Sequence, residues 1–119
     1  MSRVLLIDSD PADAELIRTA LTEQGHVVRV AANGSDGLAA TLEKTPSLVL
    51  LALNLPDQSG LDVFRTMHGR ARTEHIPVMF LAERGEASQQ NEVLHAGADD
   101  FIIKPFDTDI LSLRVRNAI

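Results

Sequence analysis

Five short apolar runs alternate along the chain with five longer segments in which apolar residues recur at helical spacing. The runs are Val4 to Ile7, Val27 to Val30, Leu48 to Leu53, Ile76 to Leu81 and Phe101 to Ile103. Alternation of this kind predicts an α/β domain, a parallel sheet covered by helices, with one unit spanning residues 1–119. Leu48 to Leu53 has no polar alternation, so that strand is expected at the centre of the sheet, buried on both faces. Arg29 interrupts the second run, as an edge strand allows.

The intervening segments carry helix signals. Asp10 offers an N-cap, Pro11 suits the first helical position and Asp13 complements the positive end of the helix dipole. Leu16, Ile17, Ala20 and Leu21 are expected to face the core, and Gly25 to stop the helix. Asn33-Gly34 reads as a turn before a second helix marked by Leu38, Ala39 and Leu42. Gly60 precedes a third with Leu61, Phe64 and Met67 inward. Glu86 to Ala96 reads as a rather polar fourth helix. Asp107 caps a fifth, with Ile110, Leu111, Leu113 and Val115 mostly in the core. That helix ends at Ile119 while still amphipathic, so the chain is expected to be the N-terminal part of a longer protein.

Composition narrows the chemistry. At 119 residues with 45% hydrophobic content, the chain can bury a core without staples, and with no cysteine it has neither disulfides nor thiolate metal sites. No apolar stretch is long enough to span a bilayer and no signal-peptide pattern opens the chain, so a cytoplasmic location is expected and no membrane partner. The formal net charge of −6 argues against direct nucleic-acid binding. His26, His68, His75 and His95 are scattered without metal-ligand spacing, and no glycine-rich nucleotide loop is present. After the first run, Asp8-Ser9-Asp10-Pro11 would repel an anionic flavin phosphate.

In open α/β sheets ligands bind outside the carboxyl ends of the strands. Those ends are Asp8-Ser9-Asp10, Ala52-Leu53-Asn54, Ala82-Glu83 and Lys104-Pro105. Three blocks with family-like spacing surround them: Val4 to Pro11, Leu48 to Pro56 with Gly60, and His95 to Phe101 with Lys104-Pro105-Phe106. Together they resemble the receiver domain of two-component response regulators over essentially the whole chain. The resemblance implies a flavodoxin-like, doubly wound (βα)5 fold with strand order 2-1-3-4-5 and a cis peptide before Pro105.

It also implies a chemistry. Receivers of the family bind Mg²⁺ through an acid pair on the first strand, a third-strand aspartate and a carbonyl two residues later. That aspartate accepts a phosphoryl group, which a fourth-strand hydroxyl and a fifth-strand lysine hold. Here Asp8 matches the first acid, Ser9 stands at the second, Ala52 at the acceptor and Ala82 at the hydroxyl position. Asn54 could still offer its carbonyl, and Lys104 keeps its type. A methyl group has no lone pair, so Ala52 cannot accept phosphate. Asp8 with a serine hydroxyl is a poor magnesium site, so no cofactor is expected. Asp57 reads as a solvated turn residue and Asp10 as a helix cap, neither a substitute acceptor. Lys104 is expected either to pair with Asp8, closing the site, or to reach solvent.

The resulting expectation is a non-enzymatic, phosphorylation-independent receiver acting through a protein partner or output domain. Phe101 matches the aromatic switch position of the family, on a face built by helix four, strand five and helix five that would also suit a homodimer. It reads equally well as a packed core residue. The alternatives are regulation by a small ligand or a modification elsewhere, and a purely structural dimerisation module.

Overall fold

A computed structural model describes residues 2–119. The strands are β1 (Arg3–Ile7), β2 (Val27–Ala31), β3 (Leu48–Ala52), β4 (Val78–Ala82) and β5 (Asp100–Ile103). The helices are α1 (Pro11–Glu23), α2 (Gly34–Glu43), α3 (Gly60–His68), α4 (Gln90–His95) and α5 (Thr108–Ala118). All strands run parallel in the order β2-β1-β3-β4-β5, as the family resemblance implied. β3 is buried along its whole length at the centre, which its unbroken apolar sequence required.

The sheet separates two apolar layers. On one side Leu5, Ile7, Leu51 and Phe80 meet α2, α3 and α4 through Ala40, Phe64, Met67 and Val93. On the other, Val4, Leu6, Leu50 and Leu81 meet α1 and α5 through Ile17, Leu21, Leu111 and Val115. Among the described residues, no helix is long and apolar enough to cross a membrane.

Several faces differ from the sequence pattern. α1 buries Ala14, Ile17 and Leu21, whereas Leu16 is exposed and Ala20 half-buried. The true stripe runs i, i+3, i+7 and starts on a small residue. α2 buries Gly37, Ala40 and Thr41 and leaves Ala39 exposed. The reason is close approach: a Cβ at Gly37 would collide with the Ile7 side chain, so this helix lies on the sheet through its smallest residues. Asn33-Gly34 is the start of α2 itself, with the Asn33 side chain accepting from the Asp36 N–H.

The segment expected as one fourth helix begins as a 3-10 turn, Arg84–Gln89, that buries nothing, and only Gln90–His95 is α-helical. β4 starts at Val78, two residues later than the apolar run, because Pro77 cannot donate to the ladder. On α5, Ile110 and Leu113 are exposed and only Leu111 and Val115 are buried.

Candidate functional site

The carboxyl ends of β1, β3, β4 and β5 open onto one crevice, lined by Asp8, Ser9, Ala52, Asn54, Glu83 and Lys104. The register pairs Ile7 with Leu51, Ala52 with Leu81 and Ala82 with Ile103, which brings the next residues of four strands to one end of the sheet. The sequence-selected residues are thus assembled in space, including Asp8 and Lys104, which are 96 positions apart.

Lys104 is the hub. Its side chain is buried, and its Nζ donates to Asp8 Oδ2 at 2.8 Å. Asp13 Oδ2 lies 2.9 Å from the same ammonium, and the exposed Glu83 3.7 Å away. Of the two possibilities for Lys104, pairing with Asp8 is the one realised. Burial pushes the ammonium toward neutrality, but its hydrogen bonds and charge attraction to Asp8 and Asp13 outweigh that, so its pKa lies above the usual lysine value. The second oxygen of Asp8 accepts from the Asp10 N–H at 3.0 Å, leaving neither oxygen of this buried carboxylate without a protein partner.

Asp13 was legible only as a helix-dipole residue. Its place follows from the cap: Asp10 accepts from the N–H groups of Ala12 and Asp13, which sets α1 so that its first turn overhangs the end of β1. The same N–H donors, led by that of Asp13, hold the Asp10 carboxyl below its usual pKa.

Ala52 and Ala82 are both buried and present methyl groups. Ser9 and Asn54 are exposed, and Asn54 forms an isolated bridge with Ser59 ahead of α3. Gly60 must be glycine here, since a Cβ would run into the Ala52 carbonyl. Lys104-Pro105 is cis. Phe101 is buried in the cluster with Phe80 and Val93, so its ring belongs to the core and is not presented at the surface.

Asp57 does more than solvate a turn. Its two oxygens accept from the N–H groups of Gly34 at 2.8 Å and Ser35 at 2.9 Å, the first residues of α2. These backbone donors hold its carboxyl at a pKa of about 2. The loop after β3 is thereby fastened to the start of α2, away from Lys104.

Among the described residues, no three His, Asp or Glu side chains are grouped to hold a metal ion. What remains is an ammonium enclosed by carboxylates between two methyl-bearing strand ends, on a doubly wound α/β scaffold. A sequence profile of the response regulator receiver domain matches residues 4–116, and the chain belongs to that family. It is 39% identical over 119 residues to the transcriptional regulatory protein KdpE of Mycobacterium tuberculosis, covering all of this chain and 51% of that one. It is 36% identical over 116 residues to the DNA-binding dual master transcriptional regulator RpaA of a Synechocystis species, covering 98% of this chain and 48% of that one. The crystal structure of a response regulator receiver domain protein from Clostridium thermocellum superposes with a TM-score of 0.91 at 26% identity, covering 100% of this chain and 94% of that one. The chain spans about half the length of the curated relatives it matches. The exclusion of nucleic acid drawn from net charge finds no support here, since one of these relatives, RpaA, is a DNA-binding regulator.

Proposed function

We propose that this receiver has lost its phosphoacceptor at Ala52 and signals without phosphorylation, as a cytoplasmic, non-enzymatic binding module for a protein partner or output domain. The observation that carries the reading is the Asp8–Lys104–Asp13 cluster. It engages in internal charge pairs the lysine and the first acid that the family uses for a phosphoryl group and a metal ion.

The residues present do not fit magnesium. That ion wants a near-octahedral oxygen set with one or two carboxylates and gives up water reluctantly. Here Ala52 supplies no ligand, Ser9 offers only a neutral hydroxyl and Asp8 is already engaged at both oxygens. Binding would have to displace the Lys104 ammonium from its carboxylates. In this reading Ala82 has no oxyanion to hold, and the pairing of Lys104 is a lock that replaces both metal and phosphate.

Contact with protein is supported by the apolar side chains that α4 and α5 leave in water: Ile110 at 52%, Leu113 at 49% and Leu94 at 38% exposed. A homodimer or output-domain contact through α4, β5 and α5 would cover Leu94 and Ile110, whereas Leu113 lies beside Gln24 and His26 at the end of α1. Phe101, being buried, would support that face from beneath.

The test is amide NMR of the chain titrated with Mg²⁺ and beryllofluoride. The reading expects no saturable shifts near residues 52, 82 and 104. Saturable shifts there would overturn it.

A further inference from the structure

The outer edge of β2 lies far from the crevice and takes no part in it. β2 pairs with β1 alone in the five-stranded sheet. The Val27 N–H donates to the Ser2 carbonyl and the Ala31 carbonyl accepts from the Asp8 N–H, so Val27, Arg29 and Ala31 spend their backbone groups on β1. The alternation of a parallel ladder then turns the N–H and C=O groups of Val28 and Val30 outward, unpaired by any strand.

The amino-terminal half of the face beside this edge is basic, while Asp36 and Glu43 lie beside its carboxyl-terminal half. The register sets Arg3 against Val27 and Leu5 against Arg29, so these four side chains share one side of the sheet. α2 ends at Glu43 and does not cover their amino-terminal half. A shallow cavity of about 60 Å³ remains there, with Leu5, Val27 and Pro46 as its floor and Arg3, Arg29 and Lys44 around it. Only Arg29 is neutralised locally, by Glu43 at 2.7 Å. Arg3 and Lys44 have no ion-pair partner among the described residues. In a chain of formal charge −6, this is a local concentration of positive charge.

We infer that the β2 edge is a docking site for an extended, acidic segment of a protein partner, which adds to the sheet as a sixth strand. Main-chain hydrogen bonds to Val28 and Val30 would supply the pairing. Carboxylates at alternate positions of the incoming strand would meet Arg3 and Lys44, and a small apolar side chain would enter the cavity. A second copy of this chain is the poorer occupant. Antiparallel pairing of two β2 edges about their common midpoint would set Arg29 against Arg29, and like charges directly opposite repel.

The experiment uses this chain with a short blocked peptide alternating Glu and Val, and a counterpart carrying Lys for Glu. The acidic peptide is expected to give saturable amide shifts at residues 3, 27–31 and 44 and to slow hydrogen exchange at Val28 and Val30. The doubly reversed variant Arg3→Glu/Lys44→Glu should bind it about tenfold more weakly, the effect of losing two modest ion pairs. Val28→Pro, which removes an outward donor and no rung to β1, should abolish the peptide-induced exchange protection of Val30 while the chain still folds. Absence of saturable shifts, shifts confined to another face, or equal binding of the Lys peptide would each overturn the inference. Concentration-dependent pairing of the chain through β2 without peptide would overturn it in favour of self-association.

Discussion

Replacing Lys104 by Met removes the one cation between Asp8 and Asp13 while keeping much of the side-chain volume. Asp8 is 4% exposed, so its carboxylate is left buried without a counter-charge. Breaking a buried ion pair from one side costs about 3–5 kcal/mol. A domain of this size is stable by roughly 5–15 kcal/mol, so the loss is a large share of the total. In urea, with a slope near 2 kcal/mol per molar, the midpoint should fall by about 2 M. Asp8→Asn should cost less, because Lys104 keeps Asp13 at 2.9 Å. Asp13→Asn should cost about 1 kcal/mol or less, since that carboxylate is partly in water. The Lys104→Met/Asp8→Asn double variant should lose less than the two single losses added, because no buried charge is then stranded. Urea unfolding of the four variants at neutral pH checks every part of this order. A Lys104→Met midpoint equal to that of the unaltered chain would refute the view that this ammonium neutralises a buried carboxylate.

Other outcomes follow from the same geometry. Asp57 has its carboxyl held near a pKa of about 2 in the folded chain and near its ordinary value when unfolded. Its contribution is therefore present above the ordinary carboxylate range and lost as pH falls toward 2; thermal melts of Asp57→Asn should vary less with pH across that window. Gly60→Ala forces a methyl group into the Ala52 carbonyl and should destabilise by about 2–3 kcal/mol in denaturant titration. Ile110→Ser and Leu113→Ser lie in water and should change stability by no more than about 0.5 kcal/mol. If the α5 face mediates self-association, sedimentation at rising concentration should show it weakened in Ile110→Ser. Lys104 has a raised pKa, so its stabilisation persists up to the ordinary lysine range and is lost only as pH rises beyond it. Melting temperatures of the unaltered chain and Lys104→Met should accordingly differ by a constant amount from pH 6 to about 9.

The strands and the identity of the crevice residues were legible in the sequence because both rest on strong local signals. An unbroken apolar run has only one place in a sheet, and strand ends can be counted. The helix faces were less so. In α1 and α2 the buried positions are occupied by Ala14, Gly37, Ala40 and Thr41, small residues that carry little hydrophobic signal yet permit close approach to the sheet. Leu16, Ile110 and Leu113 are the converse, large apolar side chains that the pattern assigned inward and the packing leaves outside. Asp13 and Asp57 were missed as structural partners because their contacts depend on how helix caps sit in three dimensions. The pairing of Asp57 with Gly34 and Ser35 bridges more than twenty positions, and no spacing rule reports it.

The division of the core into two layers has a consequence for synthesis. One layer is sealed by α2, α3 and α4, all of which follow one another through the middle of the chain. The other is shared by α1 and α5, the first and last helices of this domain in chain order. Until Leu111 and Val115 have emerged, Val4, Leu6, Leu50 and Leu81 have only half their cover. The nascent domain therefore carries an open apolar face through nearly all of its translation and closes it in the final turns of helix. Any agent that recognises incomplete chains would find its handle on that side of the sheet, and would lose it when α5 docks.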